Sequence, residues 1–370
     1  MPCDILGSRA LNRALLARQG LLARSDMPAA GMIERLVGMQ AQEPENPYIA
    51  LWSRLNGFRT DELSKLISER RAVRAPLMRS TIHLVTERDC LLLHPITQPI
   101  RARAFKSPWS QGLAGADVAD VVAAGLALLA ERPRTRAELS ALLAPRWPEA
   151  DPQALSQAVT FHAPLVQVPP RGLWGARAQA TWAPADTWLG ERLPAGSPPD
   201  GLMLRYLAAF GPATVADVRT WSGLTGLRDV IERLRPELRT FRDERGKELF
   251  DLPDAPLPDP DTPAPPRFLP EYDNVALAHA DRSRILNGQG PGLPFPRGRA
   301  LGTLLVDGFY RANWKVEEAN GAAMLTIDRF RRLPADPADA VKEITEEGYR
   351  LLRFIAPDAG AREVEFVPRP

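Results

Sequence analysis

The sequence predicts an α+β protein, with tandem winged helix-turn-helix domains followed by a small C-terminal β-barrel-like domain. Three observations carry that expectation. A succession of helices closed by a short alternating stretch recurs three times before residue 255. A proline-rich, acidic stretch almost free of large apolar side chains, Leu252–Arg267, then reads as a linker. Beyond it, short alternating runs surround one amphipathic helix, which suits a small barrel or curled sheet. The expected units are residues 1–110, 111–195, 196–255 and 266–370.

In the first unit, Leu11, Leu15 and Leu22 set a helix over Ala10–Ser25, and a second helix runs over Pro28–Gln40. Tyr48, Leu51, Trp52 and Leu55 share one side of a third helical stretch. Asp61–Arg71 follows, with Thr60 as N-cap and Asp61 and Glu62 at the positive helix end. Val73–Val85 alternates as two short strands. The second cycle has helices at Asp117–Ala130, Thr135–Leu143 and Pro152–His162, then strand-like runs over Leu165–Trp182 around Arg171-Gly172. The third has Asp200–Phe210, then Val215–Ser222 capped by Thr214, then Leu227–Leu234, and a hairpin over Leu238–Leu252 turning at Arg245-Gly246. After the linker, strands are expected at Asn274–Ala278, Arg299–Val306, Gly308–Val316 and Ala323–Phe330, a helix at Ala338–Phe354 and a last strand at Glu363–Val367.

With 370 residues, 45% hydrophobic and 25% charged, the composition is that of a soluble globular chain with room for two to four cores. No stretch approaches a membrane span and no signal peptide is evident, so the expected location is the cytoplasm, without membrane partners. Two cysteines, Cys3 and Cys90, exclude a disulfide framework. Four histidines scattered without ligand spacing argue against a metal centre, and no cofactor is expected. Net charge is only +2, yet residues 1–110 hold 16 Lys and Arg against 10 Asp and Glu. Arginine far outnumbers lysine, which suits bidentate phosphate contacts; a GC-rich coding sequence accounts for the excess equally well.

The most informative segment is Leu36–Leu55. Ile33, Leu36, Val37 and Gln40 follow helical spacing, so Gln40 ends an otherwise apolar face. Gln42 cannot share that face while the helix lasts. Pro44 disfavours helix at Glu43, so the chain is expected to leave the helix near Ala41. Once extended, positions two apart point the same way, and two neutral amides converge. This segment resembles the winged-helix DNA glycosylases of the AlkZ/AlkX type, whose signature is Gln-apolar-Gln or Gln-apolar-Asp. The likeness continues in order through Met78–Val85, Leu269–Asn274, His279–Arg284 and Gly302–Phe309, nearly the whole chain.

The resemblance implies several winged helices packed together and catalysis by Gln40 and Gln42. It further implies damaged double-stranded DNA as partner. Gln-Ala-Gln resembles the branch tied to self-resistance against DNA-alkylating natural products, with azinomycin-type crosslinks and trioxacarcin- or hedamycin-like adducts as candidates. The expected activity is thus monofunctional hydrolysis of cationic N7-alkylguanine lesions, by a monomer. The chemistry is coherent: a base alkylated at N7 already carries positive charge and leaves neutral, so amides need only position water. Glu43 and Glu45 are rival general bases, and two glutamines capping a helix end are the bland alternative. Arg79, Thr81 and His83 alternate on one strand and line either a nucleotide pocket or a solvated face. Arg101, Arg103 and Lys106 form a basic stretch suited to phosphate. Arg282 and Arg284, two apart, are expected to clamp the duplex. Phe309, Tyr310, Arg311 and Trp314 form either a groove-probing hairpin or a barrel wall. A non-catalytic winged-helix regulator that binds specific DNA is the competing function.

Overall fold

The computed structural model describes residues 4–196, 198–287, 301–329 and 337–368. The chain opens with β1 (Ile5–Leu6) and α1 (Ser8–Arg18), then α2 (Ala29–Arg35), β2 (Met39–Gln40), α3 (Asn46–Arg54) and α4 (Thr60–Ser68). The Glu62 carboxylate accepts from the Arg59 amide at 2.9 Å at the start of α4, where its charge meets the positive helix end. β3 (Ala72–Pro76) and β4 (Ile82–Thr86) form the expected antiparallel pair.

The next element has no counterpart in the sequence expectation. α5 (Glu87–Trp109) contains Pro95, Pro99 and Pro108, the residues that argue against a helix. Thr86 caps it by accepting from the Asp89 amide at 3.4 Å. Leu93 and Ile100 are buried in one core and Phe105 in another, and that burial offsets the amide bonds the prolines cannot make.

α6 (Val118–Glu131), β5 (Arg134–Thr135), α7 (Arg136–Leu143) and α8 (Pro152–His162) follow, capped by Asp117, Thr135 and Asp151 side chains. β6 (Leu165–Val168), β7 (Thr181–Pro184) and the short α9 (Ala185–Leu189) complete this part. α10 (Asp200–Phe210), α11 (Val215–Ser222) and α12 (Leu227–Leu234) lead into the hairpin of β8 (Arg239–Asp243) and β9 (Glu248–Asp251), turning at Gly246.

One six-stranded sheet, ordered β2-β4-β3-β6-β7-β5, joins strands from the first two helical groups. The N-terminal β1 pairs in parallel with β8, so the third hairpin is bound to the start of the chain. The proline-rich stretch is laid along α1: Arg9 donates to the Pro260 carbonyl at 2.8 Å and Arg13 to that of Thr262 at 2.6 Å.

After it come β10 (Arg267–Leu269), α13 (Asn274–Leu277), α14 (Ser283–Leu286), β11 (Gly302–Val306), β12 (Phe309–Ala319), β13 (Ala322–Arg329), α15 (Pro337–Ile355) and β14 (Ala361–Pro368). Two expectations are corrected here. Asn274–Ala278 is not a strand: Asp273 accepts from the Val275 amide at 3.0 Å and starts a helical turn. The C-terminal part is not a closed barrel. Its strands form an open five-stranded sheet ordered β10-β11-β12-β13-β14, and the first and last do not pair. α15 carries the chain from β13 to β14, which lie parallel as a crossover connection requires. The expected strand ends at Arg299 and Phe330 lie outside the described residues. No described helix is long and apolar enough to cross a membrane.

Candidate active site and nucleic-acid interface

The two glutamines leave the helix earlier than the sequence suggests, and for a different reason. α2 stops at Arg35, and Val37 (φ 55°) and Gly38 (φ 84°) take left-handed conformations that reverse the chain. The Gly38 amide donates to the Ile33 carbonyl at 2.9 Å, closing the helix end. A Cβ at Gly38 would lie 2.5 Å from Val85 Cγ1 and 3.0 Å from the Leu84 carbonyl oxygen, so only glycine fits. The chain then pairs with β4, Met39 opposite Leu84 and Gln40 opposite His83, and the Ala41 amide donates to the Ile82 carbonyl at 2.7 Å. The strand ends at Gln40, and Gln42 follows at a bend, with Gln40 and Ala41 buried and Gln42 exposed.

Gln40 is 8% exposed and its Oε1 accepts from the Arg79 guanidinium at 2.8 Å. Gln42 is exposed, with its Oε1 3.4 Å from the Ile82 amide. Both carbonyls are thereby oriented, and each keeps acceptor capacity for a further donor such as water. Arg79 sits in a short turn, Met78–Ser80, where Arg79 and Ser80 both have positive φ. It also donates to the Trp221 carbonyl on α11, whose C-terminal Gly223 lies against the Arg79 backbone. Burial lowers the Arg79 guanidinium to about 10, and no carboxylate pairs with it among the described residues.

His83 lies behind Gln40 at 1% exposure, where burial, then the charge of Arg79, lowers it to about 3. It is neutral, and its Nδ1 donates to the Thr81 carbonyl at 2.9 Å. That leaves Nε2 as a buried acceptor without a partner, and the Ser80 hydroxyl is likewise buried and unpartnered. Thr81 is half-buried and its hydroxyl donates to the Met78 carbonyl at 3.2 Å. The structure therefore gathers Gln40, Gln42, Arg79, Thr81 and His83, but not as one strand face: Arg79 is on the turn and His83 is covered.

A second segment brackets the glutamines. Asn274 donates to the Gly38 carbonyl at 2.8 Å, just before Gln40, and Asn46 donates to the Glu271 carbonyl at 2.8 Å, just after Gln42. The bracket is locked by Asp273, which accepts both Arg54 nitrogens at 2.8 Å in a buried bidentate pair. Between its ends stands Tyr272, exposed, at φ 60°, with its hydroxyl on the Glu271 carboxyl. That hydrogen bond, then burial, raises the phenol above its ordinary value, and burial raises Glu271. In the sequence the Leu269–Asn274 block stands out only as a likeness. A bulky residue at positive φ leaves no trace in composition or periodicity.

The other basic candidates lie apart. Arg101 is 1% exposed inside α5 and donates to the Ala163 and His94 carbonyls at 2.9 and 3.3 Å, so it faces the interior rather than phosphate. Arg103 is exposed on the same helix. Arg282 and Arg284 both line one cavity, but the chain turns helical at Ser283 and only Arg282 keeps appreciable exposure. Arg284 is 4% exposed and donates to the Pro212 carbonyl at 2.9 Å. Arg282 is half-buried and lines a cavity of about 1080 Å³ with Arg228, Arg245 and Lys247. Glu43 and Glu45 are exposed, Glu45 at the start of α3. No cluster of three potential metal ligands occurs among the described residues.

The family model for DNA glycosylase AlkZ-like proteins matches residues 33–354. The fold is similar to that of Streptomyces sahachiroi DNA glycosylase AlkZ, with a TM-score of 0.78 at 17% sequence identity over 99% of this chain and 100% of that one. No curated protein matches the chain.

Proposed function

The chain belongs to the AlkZ-like DNA glycosylase family, and from that membership we propose that it hydrolyses the N-glycosidic bond of bulky, cationic N7-alkylguanine adducts or crosslinks. On this reading it confers resistance to a DNA-alkylating natural product. The single observation that carries the proposal is the pair of oriented amide carbonyls, Gln40 held by Arg79 and Gln42 by the Ile82 amide, both holds coming from the segment Met78–Ile82. A water accepted between them is aimed at the anomeric carbon. Its oxygen bonds to C1′, the bond from C1′ to N9 breaks, and the electron pair neutralises the alkylated base. The water's proton passes to solvent. Since the base departs neutral, no acid of tuned pKa is needed, and undamaged nucleotides are spared. The helical groups followed by β3–β4 and β8–β9 act on this proposal as winged helices, with Arg79, Arg103 and Arg282 towards DNA.

The test is release of free base from N7-methylated duplex. The wild-type protein is expected to release 7-methylguanine and leave an intact abasic strand, and borohydride to trap no covalent complex. Gln40→Ala and Gln42→Ala should each slow single-turnover release by about 10²–10³, with duplex affinity and Tm nearly unchanged. Undiminished release by the double variant would refute the assignment.

A further inference from the structure

Three arginines share one carboxylate at the end of α3 remote from the glutamines. Glu347 on α15 is 6% exposed; it accepts from Arg24 at 2.5 Å and lies 3.5 Å from Arg350 and 3.8 Å from Arg267. Arg353, one turn further along α15, has no acidic partner among the described residues. Burial, then the charge of Arg24, lowers Arg267 to about 10, while Glu347 acts in the opposite direction. The C-terminal end of α15 carries about half a negative charge, too little to balance the surplus.

These arginines frame a defined cleft. Arg24, Arg350 and Arg353 line a space of about 350 Å³ with Trp52, Asn56 and Gly57, and no carboxylate lines it. The nearest acid on the Asn56 side, Asp26, is held by Asn56 at 2.9 Å. Arg24 is fixed rather than free: its guanidinium lies 4.7 Å from the Trp52 ring centre and donates to the Trp52 carbonyl at 3.0 Å. Nothing lies within 4 Å of where a Gly57 Cβ would be, so the mouth is open. The space admits a tetrahedral oxyanion with several waters.

We infer that this cleft binds a phosphate group, and that the phosphate is one of the DNA backbone near the lesion that the glutamines meet. The second half rests on the glycosylase proposal; the first does not. The nine residues of α3 rise about 13 Å from the glutamine end to the cleft, on the order of four steps along a DNA strand. A duplex held at both ends of α3 is fixed in register without any base being read.

The test uses the full chain with Arg350→Gln and Arg353→Gln together, both exposed positions outside the glutamine site. Affinity for an undamaged duplex is measured by anisotropy over a series of salt concentrations. The double variant should bind about tenfold more weakly or worse, and its log K against log salt should flatten by about 0.9 for each phosphate no longer neutralised. Arg350→Lys with Arg353→Lys should restore most of the slope, since the charge is kept. In parallel, inorganic phosphate and duplex are titrated while the arginine Nε–H signals are followed by NMR. Shifts of Arg353 with both probes are expected. Shifts with phosphate alone, and an unchanged salt slope, would overturn the DNA assignment; no shift with either would overturn the site. If base release fails throughout while the slope still flattens, the cleft stands and the glycosylase proposal falls.

Discussion

Arg79 ties the catalytic candidate to the rest of the molecule through a single side chain. Its fork reaches Gln40 Oε1 and the Trp221 carbonyl together, which an ammonium on a flexible stem does not reproduce. Arg79→Lys should therefore lower the single-turnover rate about tenfold, with KM and salt slope nearly unchanged; equal rates would show that Gln40 needs no such hold. His83 and His94 make a separate, pH-dependent contribution. Burial lowers His83 to about 3 and His94 well below 6.5, whereas each takes up its proton near 6.5 when the chain is unfolded. The His83 contribution is thus complete above pH 6.5 and is lost as pH falls from there towards 3, and that of His94 is lost in the same direction below 6.5. The loss runs at about 1.4 kcal/mol per pH unit for each histidine. Thermal melts should show Tm falling below pH 6, while excision between pH 6.5 and 9 stays flat because neither glutamine titrates. Equal Tm at pH 7 and pH 5 would contradict the burial of these rings.

The Val37–Gly38 reversal decides where the glutamines point. Gly38→Ala meets about 1–2 kcal/mol of left-handed strain and a clash with Val85 and the Leu84 carbonyl. A loss of about 2–4 kcal/mol in denaturant melts is expected, together with slower base release. Unchanged stability would show that β4 yields at that point. That the chain leaves the helix before Gln42 is legible in the sequence, since Pro44 disfavours helix at Glu43. The terminator is not: Pro44 is the louder signal, although Gly38, a glycine after an apolar helical run, is itself a stop. α5 is invisible because its three prolines speak against helix locally, while the burial that sustains it comes from residues far along the chain. Asn274–Ala278 shows the opposite limit, an apolar run too short for periodicity to separate strand from helical turn. Barrel closure depends on whether β10 meets β14, and strand partnership is not written in either strand. The helix between β13 and β14 is readable, and a strand-helix-strand succession favours a parallel crossover over a meander.

Across the whole molecule, distant stretches are joined by Arg–Asp pairs, fully buried at Arg18–Asp251 and half-buried on the arginine side at Arg205–Asp89. Arg18 grips Asp251 at 2.6 and 2.7 Å, and Arg205 grips Asp89 at 2.6 Å through both nitrogens. Removing one partner of the fully buried pair leaves a buried charge and costs about 3–5 kcal/mol. The six-stranded sheet and its core likewise draw on residues on both sides of position 110. A fragment of residues 1–110 should therefore stay unfolded by circular dichroism and proteolysis; a cooperative melt of that fragment would show that the shared sheet is dispensable. The bond from Asn274 to Gly38 spans 236 positions. During synthesis at about 5–20 residues per second, the glutamines emerge roughly ten to fifty seconds before the segment that brackets them. A nascent or prematurely terminated chain thus carries both amides yet has no assembled centre. Possession of the motif and competence to act on a genome are separated in time, and the segment around Asn274 ends the delay.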